Sequence, residues 1–289
     1  MIPHVQHFVH EATNTFSYVV REPDGPAAAI IDSVLDYDPA AGRSSTHFSD
    51  QLVQYVRDND LKVEWILETH VHADHLSAAA YLKESLGGRV AASENVRDVQ
   101  ATFREIFNLH DFNADGSQFD HLFTDSEQFS IGSLKGSVIS TPGHTSDSVS
   151  FLIGNAVFVG DTLFAPDKGT ARTDFPGGSA LALYESTQRL LALPGDTRVF
   201  LCHDYPGTAR KFEPVHSVRD QRAHNIHVGA GSVADEFVRI RESRDATLGM
   251  PALILPAVQV NIRAGQLPGA EENGVSYLKI PLNLLGRAS

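Results

Sequence analysis

His70, His72, Asp74 and His75 form the run H-x-H-x-D-H, four ligand-capable side chains within six residues. Imidazole and carboxylate are donors that suit zinc and iron, and a cluster this dense brings no packing gain without an ion to bind. The run follows the apolar stretch Val63–Thr69 (VEWILET), which reads as a strand feeding directly into His70. Side chains alternate along extended chain, so the two imidazoles of H-x-H face one side. The turn that follows must then swing Asp74 and His75 toward the same place. Three further segments offer one donor each. Thr141–Thr145 (TPGHT) puts His144 on a turn, while Val159–Thr162 (VGDT) and Phe200–Asp204 (FLCHD) put Asp161 and His203 at strand ends. Each alone reads more readily as a capping or hydrogen-bonded residue. In this order they read as a metal site, with every donor on a loop at one edge of the sheets.

The elements that must position these donors belong to a mixed α/β chain, in which short apolar runs alternate with amphipathic ones. Thr15–Val20 and Ala27–Asp32 are expected as strands joined by the turn Pro23–Pro26. Helices are expected over Ser49–Asp58, Leu76–Leu86 (ending at Gly87-Gly88) and Glu94–Asn108. Val138–Thr141, Val149–Ile153, Ala156–Gly160 and Arg198–Cys202 read as strands. Ser179–Leu193, Val215–Arg222 and Ser232–Ser243 read as helices. From Gly249 the tail is rich in Pro and Gly, and reads as irregular chain around a strand at Ala257–Ile262. Without any low-complexity linker, residues 1–289 are expected to form one domain with a C-terminal extension from about 249.

Composition removes several classes of function. With 23 Lys and Arg against 36 Asp and Glu, the formal charge of −13 disfavours nucleic acid and anionic membranes as partners. The single cysteine, Cys202, rules out an internal disulfide framework or a thiolate-rich cluster. The N-terminal stretch lacks the basic and apolar regions of a secretion signal, and no apolar run approaches the ~20 residues of a membrane helix. A cytoplasmic location is the corresponding expectation.

Five segments together resemble the metallo-β-lactamase superfamily: Thr69–His75, Thr141–Thr145, Gly160–Phe164 (GDTLF), Ala171–Phe175 (ARTDF) and His203-Asp204-Tyr205. The resemblance spans about Phe16 to Tyr205 and implies a four-layer αββα sandwich with a metal cleft at one edge. Within the superfamily the chain is similar to the persulfide dioxygenases and their relatives, the glyoxalase II hydrolases. Spacing leaves the metal count open. His70, His72, His144 and Asp161 on one side, with Asp74, His75 and His203 on the other, would suit a dinuclear zinc or iron site that activates water. His70, His144 and Asp161 alone make a 2-His-1-carboxylate set for one Fe(II) per chain with open positions.

Glyoxalase II proteins usually carry Cys-Gly-Arg after GDTLF, whereas this chain reads Lys168–Phe175 (KGTARTDF), similar to the dioxygenases. That likeness implies conversion of a low-molecular-weight thiol persulfide such as glutathione persulfide, with O₂, to sulfite and thiol. His72, Asp74, His75 and His203 would then stand behind the ligands, holding water and orienting them. It also implies substrate contacts for Arg172 as a carboxylate clamp, Asp174 for an ammonium and Tyr205 as a donor. Asn225-Ile226-His227 stands where many members have Asn-Pro-Arg, and Ala264 where some have cysteine, which leaves room for a persulfide other than that of glutathione. The C-terminal extension has two readings, a wall of the site or a homodimer contact. His4, His7, His10, His216 and His224 read as surface residues, with His227 as the exception. Asp32 reads equally as a turn carboxylate or a support for the ligands, and the Cys202 thiol is expected to point away from His203.

Overall fold

The computed structural model describes residues 1–208 and 210–286. The first half runs β1 (His4–His10), β2 (Thr15–Arg21), β3 (Ala27–Ile31), β4 (Val34–Asp38), β5 (Arg43–Ser45), α1 (His47–Asp58), β6 (Lys62–Leu67), β7 (Leu76–Ser77), α2 (Ala79–Leu86), β8 (Arg89–Ser93), α3 (Val96–Ile106) and β9 (His121–Phe123). The second half runs β10 (Gln128–Ile131), β11 (Leu134–Ser140), β12 (Val149–Ile153), β13 (Ala156–Phe158), α4 (Ala180–Leu191), β14 (Arg198–Phe200), β15 (Val215–Ser217), α5 (Val218–His224), α6 (Ala234–Asp245) and α7 (Ile254–Asn261). A short 3₁₀ turn, Gly160–Thr162, follows β13.

Two six-stranded sheets carry the fold, in the orders β1-β2-β3-β6-β8-β9 and β10-β11-β12-β13-β14-β15. Alternation along the central strands explains why both faces of the first sheet are apolar. Ala27, Ala29 and Ile31 of β3 join Leu67 and Ala91 in the core shared with Phe151, Ile153 and Val199 of the second sheet. Ala28 and Ile30, with Val90 and Ala92, face the opposite way onto Leu52 of α1, Leu82 of α2 and Phe103 of α3. Strands buried on both faces read as continuous apolar runs, as AAAII does here. Leu183 and Leu190 of α4 and Phe237 of α6 pack on the other side of the second sheet's core. The result is the expected four-layer sandwich of helices, sheet, sheet and helices.

Three expected elements differ. The stretch Leu76–Leu86 is not one helix: Leu76 and Ser77 pair with β4 before α2 begins. Val215–Ser217 pairs with β14 rather than opening a helix, and α5 starts behind a capping box made by Ser217 and Asp220. Most consequential, the expected strand at Ala257–Ile262 is instead the helix α7 and its C-cap. Its β-branched residues suggest extended chain, but Ile254, Ala257, Val258 and Asn261 recur at helical spacing and are buried. Pro256 falls in the first turn of α7, where no intrahelical partner awaits its missing N–H. Ile254, Val258 and Ile262 join the core outside the first sheet, so this part of the extension is built into the layer of α1, α2 and α3.

Candidate metal centre

Every donor sits where a strand ends. His70 follows β6, and the loop it opens is bound to its neighbours at several points. The Val71 N–H donates to Asp147 Oδ2 at 2.9 Å. The Asn261 amide of α7 donates to the His72 and His75 carbonyls, each at 2.8 Å, and its oxygen accepts the Ser77 N–H at 2.7 Å. Asn261 thus clamps the loop from nearly two hundred residues away, and no local signal marks it for this role. His144 sits on a turn that only glycine permits at position 143. Its φ is +140°, and an added Cβ would lie 2.3 Å from the Leu183 nitrogen. Asp161 sits in the 3₁₀ turn beside Gly160, where φ is +50° and a Cβ would meet Thr69 Oγ1 at 2.6 Å.

Asp32, which the sequence left between two roles, is the organiser of the first loop. Held at φ +51° after β3, it is 2% exposed. It accepts the Thr69 N–H at 2.8 Å and the Thr69 hydroxyl at 3.0 Å, and its Oδ1 lies 3.1 Å from His72 Nε2. Because the Thr69 hydroxyl donates to Asp32, it is left to accept from His70 Nδ1, 3.0 Å away. That leaves His70 Nε2 as a bare lone pair, and it is buried without a hydrogen-bond partner. In the same way His144 Nδ1 donates to the Arg172 carbonyl at 2.8 Å and turns Nε2 inward.

The donors divide into two groups, in each of which the ligand atoms lie within 4.8 Å of one another: His70, His144 and Asp161, and His72, Asp74, His75 and His203. His72 is grouped with Asp74, His75 and His203 and not with His144 and Asp161, where the dinuclear reading of the spacing set it, although its ring lies 4.0 Å from that of His70. Asp161 links the two, its Oδ2 3.5 Å from His144 Nε2 and its Oδ1 3.4 Å from His203 Nε2. His203 Nε2 also lies 3.3 Å from Asp74 Oδ2, and His75 Nδ1 3.4 Å from Asp74 Oδ1. None of His70 Nε2, Asp74 Oδ2, Asp161 Oδ1, His203 Nε2 or the His75 nitrogens makes a hydrogen bond among the described residues. Buried polar atoms left bare cost of order 1–3 kcal/mol each, so this many converging in one place fits a bound cation.

The charges follow from these surroundings. Burial first, then the neighbouring imidazoles His72 and His144, hold His70 well below the usual histidine range, in the neutral form that ligates metal. Burial and His72 bring His75 to about 4. For His72, burial opposes the charged form, but the Asp32 carboxylate outweighs it and the imidazole is raised well above its ordinary value. His203 is likewise raised against its burial, by Asp161 and Asp74. Cys202 is buried, as expected, but its thiol does not turn away from His203: it groups with Asp161 and His203, and also with Asp32 and His72. β14 ends at Phe200, so strand alternation no longer governs position 202.

A cleft of about 470 Å³ opens onto the first group, with Asp74, His144, Asp161, Phe164, Phe175 and Tyr205 in its walls. Tyr205 stacks on His203, the rings 6.1 Å apart and 16° from parallel, and burial raises its phenol so that it stays a donor. Arg172 also faces this cleft, but both Asp174 oxygens already engage its guanidinium, at 2.7 and 2.8 Å. The same wall receives Arg241, Arg244, Leu248 and Pro251 from α6 and the segment after it. Nothing in the sequence of α6 marked these residues for the site. His227, the exceptional histidine of its group, accepts the Thr170 N–H at 3.0 Å behind this wall.

Comparison with known proteins agrees with this geometry. Over 274 residues, 94% of each chain, the protein is 52% identical to "Glyoxylase B2" of Dictyostelium discoideum. It is 28% identical to human "Persulfide dioxygenase ETHE1, mitochondrial", covering 89% of this chain and 87% of that one. The crystal structure of ETHE1 from Myxococcus xanthus superposes with a TM-score of 0.74 at 32% identity, over 92% of this chain and all of that one. The family model described as "Metallo-beta-lactamase superfamily" matches residues 10–203, a span that contains every donor from His70 to His203. With its four layers and its edge-on donors, the chain belongs to the metallo-β-lactamase superfamily.

Proposed function

We propose that the protein is a mononuclear Fe(II) persulfide dioxygenase, converting R–S–SH, O₂ and H₂O to R–SH, sulfite and two protons. The observation that carries this reading is the separation of His70, His144 and Asp161 as a group of three that includes neither His72 nor His75. Two imidazoles and one carboxylate leave open positions on an octahedral ion, and Fe(II) held there would supply the electrons and open coordination that O₂ chemistry requires. The residues around it supply position and dryness. His70 and His144 turn their Nε2 atoms inward because Thr69 and the Arg172 carbonyl take up their other nitrogens. Phe164, Phe175, Leu248 and Pro251 line the cleft with apolar surface that displaces water from a sulfur anion. The Tyr205 phenol, protonated at neutral pH, is available to donate to the thiol end of the substrate. The relationship to the ETHE1 proteins supports the same reading.

Thioester hydrolysis at a dinuclear centre is the second reading. It is favoured by the completeness of the second donor group, and by the relationship to a protein named a glyoxylase. Protein loaded with ferrous iron under anaerobic conditions separates the two. The oxidation reading expects about one iron per chain, with O₂ uptake and sulfite release on adding glutathione persulfide. Two tightly held zinc ions, no persulfide-dependent O₂ uptake and turnover of lactoylglutathione would overturn it.

A further inference from the structure

The protein carries a net charge of −13, yet four cationic side chains, Lys168, Arg172, Arg241 and Arg244, line the cleft over the metal triad. They are not equivalent. Arg172 is spent inside the protein: Nε and Nη2 donate to Asp174, and Nη1 donates to the Gly249 carbonyl at 2.6 Å. Arg241 is 3% exposed and equally committed, with Nε 2.9 Å and Nη2 2.7 Å from Asp245 Oδ1, and Nη1 donating to the Thr170 carbonyl at 3.0 Å. The other Asp245 oxygen accepts the Thr173 N–H and hydroxyl. These two arginines tie the loop 168–175 to α6 and the segment after it, so their charge is met by acids before any ligand arrives.

Arg244 sits three residues beyond Arg241, on the same side of α6, and is exposed. Its guanidinium has no ion-pair or hydrogen-bond partner among the described residues. Among the described residues Lys168 has only Asp167, at 3.4 Å, and Asp167 is shared with Arg210 at 2.8 Å. The uncompensated positive charge of the cleft therefore lies at Arg244 and Lys168. His227 lies close to α6, and burial, then Arg241 and Arg244, bring it down to about 4. A substrate whose sulfur end lies at His144 and Asp161 would pass its other end along this wall.

We infer that Arg244 and Lys168, which line the same cleft, form the anion-recognition pair that selects thiol substrates bearing a carboxylate, while Arg172 braces the loop instead of clamping the ligand. The inference takes its substrate class from the oxidation reading, but carboxylate recognition can be measured without turnover. Exposed charge-assisted contacts are modest, so Arg244→Gln is expected to raise KM for glutathione persulfide about tenfold, or roughly 1.4 kcal/mol. The rise for the persulfide of mercaptoethanol, which has no carboxylate, should be at least fivefold smaller, and Arg244→Lys should restore part of the difference. Calorimetry with unreactive S-methylglutathione on iron-loaded protein should show the same loss of affinity, and that loss growing weaker as salt is raised. If S-methylglutathione binds and responds to Arg244→Gln while no persulfide is oxidised, the oxidation reading fails and the recognition pair stands. Equal KM shifts for both persulfides, no shift for either, or no binding of S-methylglutathione to the unmodified protein overturns the recognition pair.

Discussion

The two donor groups differ in what already occupies them. In the first group the protein takes up the Nδ1 atoms of His70 and His144, His70 Nε2 and Asp161 Oδ1 are left bare, and His144 and Asp161 line a cleft. His72 and His203 instead lie at 3.1–3.5 Å from carboxylates of the chain itself, Asp32, Glu68, Asp74 and Asp161. Burial and neighbouring imidazoles hold His70 low while these carboxylates raise His72 and His203, and bare atoms remain in both groups. Identical residue types thus reach different chemical states, because a buried imidazole takes its charge from its nearest partner.

That contrast can be broken most severely at the residue the two groups share. Asp161→Ala is expected to abolish activity and bring iron content from about one per chain to near zero by elemental analysis. Retention of a full iron complement would move the seat of the metal elsewhere. The next largest effect is expected at Asp32, which supports both groups through Thr69 and His72. Asp32→Ala should lower metal affinity or activity by about 10–100-fold. It should also cost about 3–5 kcal/mol in urea denaturation, because it strands a buried charge on His72. The smallest effect is the most discriminating. His75→Gln should reduce turnover by roughly tenfold, the low end for a residue behind the ligands, while iron stays at one per chain. Loss of half the bound metal would instead assign His75 to a second ion.

Much of the site was legible because its donors are local: H-x-H-x-D-H, TPGHT and VGDT each place ligand types at strand ends, and those strands are where the apolar runs put them. Asp32 was only half legible. A carboxylate after a strand is common, and its value here comes from Thr69 and His72, which fold onto it from 37 and 40 residues away. Position 202 was misread because alternation was carried past the end of β14. The helix at Ile254–Asn261 was misread because Val and Ile favour strands in isolation, while burial against the first sheet's helical layer outweighs that weak preference. Asn261, Arg241 and Arg244 carried no signal for the site, since what they meet there, the loop at 72–77 or the cleft wall, comes from other parts of the chain.

By itself the sequence determined the donor inventory, the layered α/β frame and the order in which strand ends deliver ligands, because side-chain type and apolar periodicity are properties of short segments. Only the tertiary structure decided that His72 lies against Asp32 and Glu68, and that Arg172 is occupied while Arg244 has no partner among the described residues. Availability is set by the nearest opposite charge or hydrogen-bond partner, and folding chooses that partner across the whole chain.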